Sequence, residues 1–123
     1  MPRNRRRAPM ILALAALAFT AIGGPAASAD AVAVQIIEPS SNFMTWTYSP
    51  NPATVAAGDV VTWTNVGGFL HTVTADDGSF DSGGLEPGAQ FTWTASGAGT
   101  VAYHCTFHPW ATGTVEVTGG ASS

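Results

Sequence analysis

Short stretches in which apolar and polar residues alternate are the feature that most constrains how this chain can fold. From residue 30 onward they recur between turn-forming clusters such as Asp76-Asp77-Gly78 and Pro87-Gly88. Alternation with a period of two is typical of β-strands, and no stretch keeps the periodicity of a helix. We predict strands at residues 31–37, 43–48, 53–56, 59–65, 71–75, 90–95, 99–105 and 113–118. Seven or eight short strands at this spacing predict an all-β sandwich or barrel.

Residues 1–29 have the layout of a secretory signal peptide. Four arginines within residues 3–7 precede an uncharged apolar run at residues 10–22, and Ala27-Ser28-Ala29 fits an A-x-A cleavage site. The apolar run is shorter than the roughly 20 residues that a membrane-spanning helix needs, although a retained anchor is the alternative. We therefore predict a signal peptide at 1–29, one domain at 30–123 and no membrane span after cleavage. The protein would be exported, to the periplasm or outside the cell.

The distribution of charge restricts the class of partner. All four arginines lie before residue 10, the chain has no lysine, and all eight acidic residues lie at or after residue 30. The predicted mature domain therefore has a formal charge of −8 with histidine neutral, which argues against nucleic acid as a partner. Opposite potentials steer encounters, so this charge favours a partner with a basic docking face. The alternative is that the acidity only keeps an exported protein soluble.

Cys105 is the single cysteine of the chain, so the domain cannot form an internal disulfide. A lone cysteine in an oxidising compartment is buried, paired with another chain or occupied by a ligand. Cys105 and His108 stand three residues apart where a predicted strand enters a tight loop, and His71 begins another predicted strand. Two imidazoles and one thiolate form a soft, roughly trigonal donor set that suits copper in an electron-transfer role. Taken singly, a small core cysteine and hydrogen-bonded or surface histidines are the alternatives.

Strand parity sorts the residues next to Cys105. Val101, Tyr103 and Cys105 share one face of the predicted strand, whereas Ala102 and His104 share the other. If Cys105 faces the core, His104 faces outward. We therefore do not include His104 among the metal ligands.

Three segments resemble the plastocyanin and amicyanin branch of the cupredoxins, the family of blue copper proteins. They are Gly58-Asp59-Val60-Val61-Thr62-Trp63-Thr64-Asn65, Phe69-Leu70-His71-Thr72-Val73-Thr74 and Tyr103-His104-Cys105-Thr106-Phe107-His108-Pro109-Trp110. The resemblance covers about residues 43–118, and the short ligand loop is closer to amicyanin than to plant plastocyanin. It implies a Greek-key β-sandwich with one copper ion at one end. It also implies a type 1 copper site that transfers single electrons between larger redox proteins.

The resemblance also assigns roles to positions. His71 would be the first imidazole ligand of the copper, Cys105 the thiolate ligand and His108 the second imidazole ligand. In the family the second histidine lies near the surface within an apolar ring, and electrons leave through it. The candidates for that ring are Phe69, Leu70, Phe107, Pro109 and Trp110. We expect a monomer whose redox partners dock near His108 and Trp110, with Trp46 also near the copper end.

Two further residues correspond to positions that brace the site in the family. Asn65 resembles an asparagine that ties the ligand loops together. Thr72 stands where the family often has asparagine, which leaves side-chain bracing there open. The backbone N–H of Thr72 can still donate to the thiolate.

The axial ligand of the family is missing from its expected position. Amicyanin-like loops follow the pattern Cys-x-x-His-Pro-aromatic-Met, in which the methionine is a weak axial ligand, and Ala111 occupies that place here. The plastocyanin spacing would use Gly113, and Met44, the only methionine left after signal cleavage, lies on the predicted strand 43–48, where nothing in the sequence places it at the metal. We predict no axial protein ligand and, because apolar cavities stay dry, a raised reduction potential. Entry of water would instead produce a more tetragonal site without the blue character.

Other functions remain as alternatives. The first is a copper-binding or storage protein with a solvent-open site and no electron-transfer role. The others are a redox enzyme that uses the open axial position and a cupredoxin-like domain that binds no metal. Because the sequence contains no second metal cluster, no Ser-His-Asp set and no cofactor loop, we predict that the protein is not an enzyme.

Overall fold

The computed structural model describes residues 30–119, which form eight strands and one short 3₁₀ helix. The strands are β1 (Ala31–Ile37), β2 (Thr47–Ser49), β3 (Ala53–Ala56), β4 (Val60–Asn65), β5 (Thr74–Ala75), β6 (Gln90–Thr94), β7 (Gly99–His104) and β8 (Thr112–Thr118). The all-β prediction is therefore confirmed. The predicted signal peptide at residues 1–29 lies outside the described residues. Within 30–119, no helix is long and apolar enough to span a membrane.

The strands form two four-stranded sheets with mixed directions. One sheet has the order β2-β1-β4-β6 and the other the order β3-β8-β7-β5. The pairs β1–β4 and β3–β8 are parallel, whereas β1–β2, β4–β6, β5–β7 and β7–β8 are antiparallel. Because strands that are distant in sequence pair as neighbours, the chain crosses repeatedly between the sheets. The result is the predicted Greek-key β-sandwich.

The core lies between the two sheets and follows the alternation of the strands. In β4, Val61, Trp63 and Asn65 are buried whereas the residues between them are partly exposed. Tyr103 of β7 is buried and lies directly over Gly113 of β8, where an added Cβ would come within 2.5 Å of the tyrosine ring. Each fully buried large apolar side chain contributes roughly 1.5–3 kcal/mol to the free energy of unfolding. This core fixes the positions from which β4 and β7 enter the functional loops.

Residues 43–48 differ from the predicted strand. Phe43–Thr45 form the 3₁₀ helix, and a strand begins only at Thr47. Asn42 caps this helix, because its side-chain oxygen accepts a hydrogen bond from the backbone N–H of Met44. The alternation pattern did not reveal this cap, and the turn brings Phe43 to the surface beside the functional loops.

The strand predicted at residues 71–75 is shorter in the structure, where β5 comprises only Thr74–Ala75. His71 forms an isolated bridge with Leu85, and the N–H of Val73 donates to the side-chain hydroxyl of Ser82. The N–H of Thr72 points at the sulfur of Cys105. Side chains thus satisfy backbone donors that a neighbouring strand would otherwise pair.

Candidate metal centre

Three potential metal ligands meet beside the end of β7. His71 lies in the β4–β5 connection, Cys105 directly follows β7, and His108 lies in the β7–β8 connection. One ligand atom from each residue lies within 4.8 Å of the other two. The sulfur of Cys105 is 3.9 Å from Nδ1 of His71 and 3.4 Å from Nδ1 of His108. The fold therefore brings together the three residues that the sequence predicts as ligands.

The three side chains differ in their exposure to solvent. His71 is 1% exposed and Cys105 is fully buried, whereas His108 is partly exposed. The donor set thus has two deeply buried members and one that reaches the surface. This is the distribution that the family resemblance implies.

Backbone hydrogen bonds close the loop that carries Cys105 and His108. The N–H of Cys105 donates to the carbonyl of Ala111 (3.1 Å), and the N–H of Ala111 donates to the carbonyl of His108 (2.8 Å). A third bond joins the N–H of His108 to the carbonyl of Cys105 (3.2 Å). The seven-residue loop therefore holds the sulfur and the imidazole in a fixed relation.

Thr72 links the two ligand loops with both its backbone and its side chain. Its N–H lies 3.4 Å from the sulfur of Cys105, as the sequence predicts. Its hydroxyl oxygen accepts a hydrogen bond from the N–H of Thr106 at 2.8 Å. The sequence did not decide whether the side chain at position 72 supports the ligand loops. In the structure, the Thr72 hydroxyl does so.

Asn65 is a buried hub at the end of β4. Its amide nitrogen donates to the carbonyls of Phe69 (2.7 Å) and Leu85 (2.8 Å). Its amide oxygen accepts from the N–H of Gly67 (2.9 Å). These contacts fix the segment that leads into His71, but none of them reaches the loop of Cys105 and His108, so the predicted tie between the two ligand loops is found on the His71 side alone.

The surroundings of Cys105 favour the thiolate. Burial raises the pKa of the Cys105 thiol, but hydrogen bonds from His71, the N–H of Thr72 and His108 outweigh it and lower that pKa to about 6. Burial also lowers the pKa of His71, but the Cys105 sulfur and the Glu38 carboxylate outweigh it and raise that pKa. The copper-free site is therefore arranged for a charged sulfur at neutral pH.

Glu38 is the residue of the site that the sequence analysis missed. Its carboxylate lies 2.7 Å from Nε2 of His71, on the opposite side of the ring from Cys105. It follows β1 and is 33 positions away from His71, and no spacing pattern links the two residues. Only the parallel pairing of β1 with β4 could have suggested that they meet.

Aromatic rings surround the two histidines. The ring centroid of Trp46 lies 5.6 Å from that of His71 and 5.1 Å from that of His108, in edge-on arrangements. The centroid of Trp110 lies 5.5 Å from that of His108. The predicted position of both tryptophans near this end of the domain is confirmed.

The predicted apolar ring is at the surface. Phe69 and Phe107 are more than half exposed, and Leu70 and Trp110 are each 36% exposed. Pro109 is exposed as well. A groove of about 580 Å³ beside His108 is lined by Glu38, Ser40, Ser41, Phe43, Trp46, Phe69, His108 and Trp110. His108 is therefore bordered by an exposed aromatic surface.

His104 lies outside the group of three candidate ligands, as parity predicts. Its Nδ1 contacts the carboxylate of Asp76 at 2.6 Å, and both side chains are accessible to solvent. Tyr103 and Cys105 are buried and Ala102 is exposed, whereas Val101 and His104 are both partly exposed. The alternation of β7 thus continues as far as the cysteine.

Of the three positions considered for an axial role, Ala111 and Gly113 are buried and Met44 is exposed. Ala111 is 3% exposed and closes the ligand loop. Met44 is 57% exposed on the 3₁₀ helix.

The chemistry of the donor set, one sulfur with a lowered pKa and two imidazole nitrogens, fits a copper ion.

The domain is similar to solved cupredoxin structures. A purple cupredoxin from Nitrosopumilus maritimus is 28% identical with a TM-score of 0.61, over 71% of this chain and 99% of that chain. A methionine-to-alanine mutant of amicyanin with Cu(I) is 30% identical with a TM-score of 0.60, over 72% of this chain and 82% of that chain. An oxidised methionine-to-leucine mutant of amicyanin is 29% identical with a TM-score of 0.61, over 71% and 81%. No family model and no curated protein sequence matches the chain.

Proposed function

The chain belongs to the cupredoxin family, and we propose that it is a type 1 (blue) copper protein that carries single electrons between larger redox proteins. The observation that carries this proposal is the group formed by His71, Cys105 and His108, whose ligand atoms lie within 4.8 Å of one another. These three residues would hold one copper ion. When bound, that ion would supply one-electron chemistry by alternating between Cu(I) and Cu(II).

The protein's contribution to electron transfer would be a rigid donor set. Asn65 and Thr72 fix the loops through hydrogen bonds of 2.7–2.9 Å, and the backbone bonds of the ligand loop fix Cys105 relative to His108. Ligands that are held in one arrangement move little when the charge of the site changes. A small reorganisation is the property that fast electron exchange requires.

We further propose that the site has no axial protein ligand. Ala111 occupies the position of the methionine in amicyanin-like loops, and its methyl group is buried. An apolar space of this kind tends to stay dry, so the site would be three-coordinate with a raised reduction potential. A methionine-to-alanine mutant of amicyanin has been solved in its Cu(I) form, so an amicyanin that lacks one methionine still holds copper.

The aromatic groove beside His108 would receive the redox partner. Its rim carries Phe69 and Trp110, and the part of the chain from residue 30 has eight acidic residues and neither lysine nor arginine. A partner with a basic face therefore fits this domain better than nucleic acid does. The carrier would act as a monomer, would not itself be an enzyme, and would be exported through the signal peptide at 1–29 to the periplasm or the cell exterior.

Electron self-exchange of the copper-loaded domain, residues 30–123, tests the proposed role. Mixtures of reduced and oxidised protein should show NMR line broadening that indicates rapid exchange. Trp110→Ala should slow the exchange, because it removes apolar surface next to His108. The exposed strand variant Thr92→Ala is the matched control and should leave the rate unchanged. Slow exchange, with ready loss of copper to a chelator, would contradict electron transfer and favour copper storage.

A further inference from the structure

We propose that Glu38 is a positioning residue that orients His71 and tunes the site electrostatically. The inference rests on the proposed function, since it assigns His71 to the donor set. Glu38 lies in the segment after β1, outside the sequence motif that contains the candidate ligands. Glu38 acts through His71 and not on the metal itself.

The carboxylate of Glu38 has partners on both oxygens. Oε2 accepts hydrogen bonds from Nε2 of His71 (2.7 Å) and from the N–H of Phe69 (3.1 Å). Oε1 accepts from the N–H of Gly68 (2.9 Å). The side chain of Glu38 is 13% exposed and that of His71 is 1% exposed. A charge-assisted contact of this length, largely shielded from water, is stronger than one between neutral groups.

This contact decides which nitrogen of His71 carries a proton. An ionised carboxylate only accepts hydrogen bonds, so Nε2 of His71 must be the donor. Nδ1, the atom that lies 3.9 Å from the sulfur of Cys105, carries a proton and donates to that sulfur only while the ring is protonated; in the neutral ring, Nδ1 is free to bind a metal. Glu38 therefore holds His71 in the tautomer and orientation that a metal ligand needs.

The preceding loop leaves space for this carboxylate. An added Cβ at Gly67 would lie 2.3 Å from the carboxyl carbon of Glu38, so a side chain at position 67 would displace the glutamate. The N–H of Gly67 donates instead to Asn65, and the next two N–H groups point at Glu38. The loop thus folds around the carboxylate on one side while it presents His71 on the other.

The negative charge behind the imidazole has a consequence for redox behaviour. It makes His71 a better electron donor and stabilises the more positive oxidation state of a metal at Nδ1. Glu38 should therefore favour Cu(II) over Cu(I) and lower the reduction potential. This effect opposes the increase in potential that we expect from Ala111.

The test compares Glu38→Gln and Glu38→Ala with the wild type in the 30–123 domain. Glu116→Gln is the matched control, because it removes the same charge from an exposed position on β8. Loss of a residue that orients a metal ligand typically weakens metal binding about 10–100-fold. We expect such a loss for Cu(II) in both Glu38 variants, with a smaller loss for Cu(I). Each tenfold difference between the two oxidation states raises the potential by about 59 mV.

A second measurement uses the copper-free protein. The Nε2 proton of His71 should be protected from exchange with water in the wild type, retained in Glu38→Gln and lost in Glu38→Ala. Retention of the proton together with a raised potential in Glu38→Gln would separate the effect of charge from that of structure. Unchanged potentials and Cu(II) affinities in both variants would overturn the inference, as would a protected proton in Glu38→Ala. Failure of the wild type to bind copper would instead overturn the proposed function.

Discussion

Cys105 receives more directed contacts than any other ligand of the proposed site. Its sulfur lies 3.4 Å from the backbone nitrogen of Thr72 and 3.4 Å from Nδ1 of His108. Nδ1 of His71 is 3.9 Å away. These groups are fixed by their own loops and do not depend on a bound ion. The sulfur is therefore stabilised as a thiolate before any metal binds.

The first prediction concerns the pH dependence of the copper-free protein. The folded pKa of Cys105 is about 6, which is below its ordinary value of 9.0. Ionisation therefore stabilises the fold, and this contribution is complete above pH 9 and is lost as the pH falls through about 6. The ultraviolet absorbance of the thiolate should titrate with a midpoint near pH 6 and should be absent in Cys105→Ser. A midpoint near pH 9 would contradict the donor arrangement described above.

The second prediction concerns Ala111. Introduction of methionine at this position should lower the reduction potential, because a thioether sulfur stabilises Cu(II). Leucine has a similar volume without sulfur, so Ala111→Leu controls for crowding at a buried position. If methionine favours Cu(II) over Cu(I) tenfold, voltammetry should give a potential about 59 mV lower for Ala111→Met than for Ala111→Leu. Equal potentials in the two variants would show that position 111 is not axial to the metal.

At the scale of elements, the loops between strands are held by side chains as much as by backbone pairing. Asn65 at the end of β4 makes three hydrogen bonds to the backbone of the loops around His71. The segment from His71 to Val73 has its N–H groups paired with Leu85, Cys105 and Ser82. The strands provide the frame, and these polar contacts set the position of the ligands.

The third prediction follows from the burial of Asn65. Asn65→Ala would remove three hydrogen bonds, to the carbonyls of Phe69 and Leu85 and from the N–H of Gly67, although the Leu85 carbonyl would keep the N–H of His71. Each hydrogen bond of this kind contributes about 0.5–1.5 kcal/mol net to the free energy of unfolding. We expect the free energy of unfolding to fall by about 3 kcal/mol in chemical denaturation. Copper affinity should fall as well. The exposed variant Thr92→Ala should change neither quantity, and wild-type stability in Asn65→Ala would contradict the role of this hub.

The sequence predicts most of the frame because strands have a simple periodicity. The parity of β7 separated Cys105 from His104, and the spacing of the motif identified the three residues that meet. The 3₁₀ helix at Phe43–Thr45 and the shortened β5 were not predicted, since both depend on side-chain acceptors for backbone N–H groups. Glu38 could not be found in the sequence because its contact with His71 arises only when β1 pairs with β4.

At the scale of the whole molecule, the domain combines an acidic net charge with an exposed aromatic surface near the candidate metal centre. The described part of the chain carries acidic residues without lysine or arginine. The exposed aromatic side chains Phe43, Phe69, Phe107 and Trp110 lie near the candidate metal centre. A partner would therefore be attracted by the overall charge and would make its close contacts on an apolar surface.

The fourth prediction tests this division of roles. The rate of electron transfer from the reduced copper protein to a basic soluble cytochrome should fall as ionic strength rises, because salt screens the attraction. Trp110→Ala should lower the rate at every salt concentration without removing the salt dependence. The control Thr92→Ala should match the wild type. A rate that is independent of salt would contradict electrostatic steering by the acidic domain.

The most direct test of the central claim is an optical and EPR titration of residues 30–123 with Cu(II). We predict an intense blue charge-transfer band and a narrow copper hyperfine splitting, saturating at one equivalent of copper. Cys105→Ser should abolish the band, because it removes the sulfur that produces it. A weak band with a wide splitting would contradict the closed three-coordinate site, and the absence of any band would contradict copper binding by His71, Cys105 and His108.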